Sequence, residues 1–170
     1  MRGYVSSELT VGAPAADVWA VYSSPELPKL IVRLTDVFKK IDILEGDGHV
    51  GTVLHITLAG SDEPLTWNEK FMTIDHEKRL KVVQQIKGGY LDLGFTLYQD
   101  IFKIIDKGPN SCIIKSSSKF EVDDKFEANA ALIDADSNQG MAKAIAKFVL
   151  QSKSKKHEDH FAHSPRKYGA

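Results

Sequence analysis

The chain has 170 residues, 42% of them hydrophobic, with a formal net charge of −1 and a single cysteine. A chain of this size buries about two-thirds of its unfolded surface in one core without disulfide or metal staples, and its near-neutral charge leaves no electrostatic footprint for nucleic acid. Cys112 has no internal partner, so a buried, inert thiol in a reducing compartment is expected, and no stretch approaches the ~20 apolar residues of a membrane span.

The opening segment, MRGYVSSELTV, enters strand-like alternation directly, without an apolar run of signal-peptide length, so a cytoplasmic location is expected. In residues 3–11, Tyr4, Ser6, Glu8 and Thr10 alternate with Val5, Ser7, Leu9 and Val11. APAADVWAVYSS then reads as a helix, with Pro14 suited to the first turn and Val18, Val21 and Tyr22 at helical spacing. Pro25 and Pro28 end it, and LPKLIVRL forms a second short helix. From residue 37 the text is strand and turn: VFKKIDILEG, GTVLHITLA, LTWNEKFMTID, RLKVVQQIKG, GFTLYQDIFKIID and SCIIKSSSKFEV, divided by Gly, Asp, Asn or Pro clusters. Short connections between successive strands predict an antiparallel meander. An Ala-, Lys- and Leu-rich segment follows, with Met141, Ile145, Phe148 and Val149 on one helical stripe and Lys143 and Lys147 opposite; DADSNQG is read as an interruption or kink.

The predicted architecture is α+β: a seven-stranded curved antiparallel sheet wrapped around a long C-terminal helix, with two short helices between strands 1 and 2. A curved sheet closed by one helix leaves a hollow suited to a ligand. This unit is expected to span 1–153, with 154–170, which lack usable periodicity, as a disordered tail.

Two motifs are read as structural. Gly46, Gly48 and Gly51 have G-x-G-x-x-G spacing, but a dinucleotide site needs a helix after the glycines and here a strand follows, so they mark a hairpin turn. His157, His160 and His163 recur every third residue in the tail, without a scaffold to order them for a metal. The polar residues that do carry a signal lie on aromatic strand faces. Glu69 alternates with Trp67 and Phe71, and Asp100 with Tyr98 and Phe102. An ionised carboxylate in such a setting must be protonated, hydrogen-bonded or paired with a cation, because its lost hydration is otherwise unreplaced. Lys81, on the next strand, is the candidate cation. Strand parity leaves it open: a four-residue connection DHEK turns it outward, whereas DHEKR brings it to the face of Glu69 and Thr73.

The words SELTVGAPAADVWAVYSSPELPKL, EGDGHVGTVLHITL, NEKFMTIDHEKRLKVVQQIKGGYLDLGFTLYQD and SCIIKSSSKFEV together resemble the norcoclaurine synthases of the plant Bet v 1/PR-10 superfamily, over residues 4–153. The resemblance implies the helix-grip fold and a Pictet–Spengler condensation of dopamine with 4-hydroxyphenylacetaldehyde to (S)-norcoclaurine, in alkaloid biosynthesis. It implies catalytic roles for Lys81, Glu69 and Asp100, with Lys81 inward. Lys81 would donate protons to departing oxygen, Glu69 would accept one during ring attack or rearomatisation, and Asp100 would hold the lysine or the amine by a charge-assisted hydrogen bond. Trp67, Phe71, Tyr90 and Tyr98 would line the substrate site. The implied partners are a small aromatic amine and an aldehyde, with no cofactor, metal, nucleic acid or membrane, in a monomer or weak homodimer. The family has tyrosine two residues before its glutamate; here Trp67 donates a hydrogen bond but cannot accept one. The alternatives are a norbelladine synthase-like condensing enzyme and a non-catalytic PR-10 carrier of hydrophobic hormones or phenolics.

Overall fold

The computed structural model describes residues 1–60 and 65–162. Strand β1 (Arg2–Val11) leads into helices α1 (Ala15–Tyr22) and α2 (Leu27–Leu34), as the prolines require. Pro14 precedes the first helical residue of α1, and Pro28 lies in the first turn of α2, positions where no intrahelical N–H bond is lost. Six strands follow: β2 (Phe38–Glu45), β3 (Val53–Leu58), β4 (Thr66–Asp75), β5 (Leu80–Gly88), β6 (Phe95–Asp106) and β7 (Cys112–Val122). Helix α3 (Asp136–Ala162) closes the order. The strands form one antiparallel sheet, β1-β7-β6-β5-β4-β3-β2.

Two 3-10 helices were not foreseen: Gly89–Leu93 between β5 and β6, and Asp124–Leu132 before α3. The segment DADSNQG does not kink α3; it carries the approach to that helix and its first turn. Helix α3 also continues past 153 to Ala162, so the expected break into a disordered tail at 154 is not where the helix ends, and 163–170 lie outside the described residues. The side chains of His157, His160 and His163 fall outside them too. Among the described residues, no helix is long and apolar enough to cross a membrane.

The core sits between the concave face of the sheet and α3. Met141, Ile145 and Val149 are buried as their spacing predicts, with Ala142 and Ala146 buried beside them. Phe148, assigned to the same stripe, is half-buried at its margin. Cys112 is buried and free.

Met72 has a decisive place in the sheet. Along β4 and β5 the pairs run Asp75↔Leu80, Ile74↔Lys81 and Thr73↔Val82, then jump to Phe71↔Val83 and Glu69↔Gln85, with an extra residue at Met72. A β-bulge of this kind inverts the in–out alternation of the strand that carries it. Lys81, Val83 and Gln85 therefore share the buried face with Phe71 and Glu69, while Met72 is exposed. The expected grouping of Thr73 with Glu69 is overturned, because Ile74 takes that side beyond the bulge.

The glycine cluster is a turn, as predicted, joining β2 to β3. Gly48 has φ +99°, its N–H donates to Thr52 Oγ1 at 2.8 Å, and a Cβ there would come within 2.3 Å of the Pro25 carbonyl oxygen. Both the left-handed backbone and the contact with the loop after α1 demand glycine. Gly48→Ala is expected to destabilise the fold by about 2 kcal/mol or more, read as a lower urea midpoint with an unchanged slope.

Candidate active site

A hollow lies between the sheet and α3. Its walls are mainly apolar and aromatic, and its polar groups come mostly from β4, β5, β6, the 3-10 turn Gly89–Leu93 and the start of α3. Trp67, Glu69, Phe71, Lys81, Tyr90, Tyr98 and Asp100 all line it, so the structure brings together the residues expected at the catalytic and substrate site.

Lys81 is 2% exposed. Its Nζ donates to the Tyr22 carbonyl oxygen at 3.0 Å, at the last residue of α1, and lies 4.0 Å from the centroid of the Phe71 ring. A helix C-terminus carries partial negative charge and free carbonyls, and an aromatic face attracts a cation, so both contacts favour the ammonium. Burial outweighs the nearby negative charge of Glu69 and draws the lysine pKa down to about 8.

Glu69 and Asp100 keep some accessible surface because they face the hollow, yet protein encloses both. The Trp67 indole N–H donates to Glu69 Oε1 at 2.9 Å, a contact that follows from their i, i+2 spacing on one strand face. Burial pushes the Glu69 carboxyl up to about 7, aided by the charge of Asp100 and opposed by the Trp67 bond and by Lys81. Asp100 Oδ1 accepts from Ser118 Oγ at 2.7 Å, Asn138 Nδ2 at 2.9 Å and Tyr98 OH at 3.3 Å. Burial still raises its pKa, although these three donors favour the carboxylate.

No ion pair joins Lys81 to either acid among the described residues. The expected charge-assisted bond between Asp100 and the lysine is thus replaced by the Ser118–Asn138–Tyr98 cradle. Register explains this: Lys81 pairs with Phe102 on β6, whereas Asp100 pairs with Val83, a diagonal neighbour of the lysine. Phe71 and Val83 stand between the three ionisable groups, which surround the hollow without neutralising one another by contact.

Tyr90, on the first 3-10 helix, stacks against Tyr98 with ring centroids 4.5 Å apart and planes tilted by 35°. Burial raises the pKa of both phenols, more strongly at Tyr98, and the charge of Asp100 adds to each shift. They are neutral hydrogen-bonding groups at ordinary pH.

A family model for the pathogenesis-related protein Bet v 1 family matches residues 1–152. The chain belongs to the Bet v 1 family. S-norcoclaurine synthase 2 of Papaver somniferum is 44% identical over 149 residues, 86% of this chain and 64% of that protein, so the chain spans less than two-thirds of that relative's length. Norbelladine synthase of Narcissus pseudonarcissus is 42% identical over 156 residues, 91% of this chain and 96% of that protein. Among solved structures, norcoclaurine synthase from Thalictrum flavum in complex with dopamine and hydroxybenzaldehyde aligns with TM-score 0.82 at 42% identity, covering 89% of this chain and 88% of that one. The seven-stranded sheet, its two short helices and the long closing helix are the Bet v 1 fold.

Within this Bet v 1 cavity, sequence patterning missed four contributors: the Tyr22 carbonyl, Gln85, Ser118 and Asn138. A backbone oxygen leaves no sequence signal. Ser118 and Gln85 did carry one, as polar residues on faces that alternate with apolar neighbours. Asn138 was hidden because the start of α3 was read as an irregularity. The Trp67 bond to Glu69 opposes the upward push of burial, so Trp67→Phe should raise the Glu69 pKa above about 7. A bond worth about 1 kcal/mol corresponds to roughly 0.5–1 pH unit, measurable by carbon-13 NMR titration of glutamate carboxyls; a fall would contradict the assignment.

Proposed function

We propose that the chain is a norcoclaurine synthase-like enzyme that condenses an arylethylamine, dopamine, with an aryl aldehyde, 4-hydroxyphenylacetaldehyde. The observation that carries this reading is the buried Lys81 ammonium sharing one aromatic hollow with two enclosed carboxyl groups. Storage of an apolar ligand needs only apolar walls, and three ionisable side chains in such a place lower stability without aiding it.

The amine nitrogen adds to the aldehyde carbon, giving a carbinolamine. Lys81, with a pKa near 8, donates a proton to the carbinolamine oxygen, and water leaves to form an iminium ion. The ring carbon then attacks the iminium carbon. Glu69, with a pKa near 7, takes a proton, from the catechol hydroxyl in that attack or from the ring carbon as aromaticity returns. The proton given by Lys81 and the proton taken by Glu69 balance, so the net reaction is amine plus aldehyde to tetrahydroisoquinoline plus water. Asp100 accepts three donors on one oxygen, and its other oxygen, which has no donor among the described residues, would accept from the cationic amine or iminium. Trp67 replaces any phenol role at its position by a donor that holds Glu69.

The two pKa values set the pH window. Below about 7 Glu69 is protonated and cannot act as a base, and above about 8 Lys81 is neutral and cannot act as an acid. A bell-shaped kcat/KM with a maximum between these values is expected, and a profile flat from pH 6 to 9 would contradict the pairing.

The uncatalysed condensation gives a racemate, so enantiomeric excess is the measure of catalysis. Lys81→Met should abolish the excess. It should also raise Tm by several degrees, at about 2–4 °C per kcal/mol for this size, because the folded state disfavours the ammonium at neutral pH. The same cause makes the wild type gain stability as pH rises from about 8 toward the model-peptide lysine value, where the unfolded chain binds more protons. An unchanged excess in a folded variant rejects the role of Lys81.

A second reading has its own support. The chain matches nearly the full length of a norbelladine synthase. Offering tyramine with 3,4-dihydroxybenzaldehyde beside the dopamine pair separates the two, since the former yields norbelladine-type imine chemistry without ring closure.

A further inference from the structure

Gln85 lies directly opposite Glu69 on the neighbouring strand and lines the hollow beside it. It is 5% exposed. Its Oε1 accepts the Tyr90 backbone N–H at 3.0 Å, and since a backbone N–H can only donate, this bond identifies the oxygen end of the amide. Gly89 permits the arrangement: with φ +55°, it leaves room where a Cβ would stand 2.7 Å from Gln85 Oε1 and 2.9 Å from Trp67 Cβ. The NH2 end is left with no hydrogen-bond acceptor among the described residues. Across from it, Glu69 Oε1 is occupied by the Trp67 indole, while the other carboxylate oxygen has no donor among the described residues. The amide nitrogen is not among the buried polar atoms closed off from solvent, so this donor opens onto the hollow, where an acceptor on an entering ligand can pair with it.

We propose that Gln85 is a specificity-determining residue whose amide donates a hydrogen bond to a ring oxygen of the amine substrate, so that the site selects aryl hydroxyls. The inference rests on the condensation reading above. A phenolic hydroxyl both accepts and donates, and a catechol offers two such oxygens side by side. An amide donor and a carboxylate acceptor on paired strands match either arrangement. A ring lacking the oxygen leaves both protein groups unpaired, which makes a polar site reject the unsubstituted analogue far more strongly than an apolar pocket rejects a smaller one.

The test is a pair of affinities measured by calorimetry without aldehyde: dopamine against 2-phenylethylamine, which keeps the ammonium and the ring but has no ring oxygen. The wild type should bind dopamine at least tenfold more tightly. Gln85→Met keeps the length of the side chain and removes the amide, and should reduce that ratio by about tenfold, while a general disturbance of the cavity or of the Tyr90 tie would weaken both ligands alike. Equal binding of the two amines by the wild type, or an unchanged ratio in folded Gln85→Met, overturns the proposal. Enantiomeric excess reports separately on the condensation. A protein that selects dopamine but gives racemate rejects the condensation alone, and an active protein whose Gln85→Met variant keeps the ratio rejects the role of Gln85 alone.

Discussion

One additional residue in β4 decides which side chains share the hollow. Alternation in a strand is strict, so every residue between Phe71 and the β4–β5 turn would project to the opposite side if Met72 were absorbed into the ladder. Without the bulge, Lys81 would share a face with Lys70 and Met72, and the hollow would contain acids without a base. With it, Lys81, Val83 and Gln85 face inward beside Phe71 and Glu69, and Met72 is turned to solvent.

The chemistry of the hollow depends on ionisable groups that are enclosed yet not neutralised by contact. Had Lys81 formed a close ion pair with Glu69, the acid would be held ionised and the base protonated, and both would be poor at moving protons near neutral pH. The structure keeps them apart with Phe71 and Val83 and satisfies each separately: the ammonium by a helix-end carbonyl and an aromatic face, Glu69 by an indole, and Asp100 by a hydroxyl-amide cradle. Burial then brings the acid and the base toward each other on the pH scale, to about 7 and about 8. Such groups destabilise the fold in return for reactivity, a common trade at functional sites.

The two ends of the cavity are anchored by different elements. At one end α1 offers its last carbonyl to Lys81, and at the other Asn138 in the first turn of α3 reaches Asp100 and Ser118. The short and long helices that cover the sheet therefore also orient its polar groups, so a shift of either helix would displace those groups as well as disturb packing. Tyr98 donates to Asp100 and stacks on Tyr90, whose backbone N–H holds Gln85.

Local patterning alone supplied the order of elements, the antiparallel sheet, the buried stripe of α3, the glycine turn and the identity of Glu69 and Asp100 as acids on aromatic faces. These are readable because periodicity and turn chemistry are properties of neighbouring residues. Resemblance to known relatives, and not periodicity, pointed Lys81 inward. The bulge that accomplishes this has no mark in the text, since NEKFMTID alternates acceptably either way, and the choice is made by pairing with β5. The separation of Lys81 from Asp100, the Tyr22 carbonyl and the Asn138 cradle were likewise decided by tertiary structure. Each is a distance between segments remote in the chain, fixed by strand register and helix docking, and no local pattern encodes such a distance.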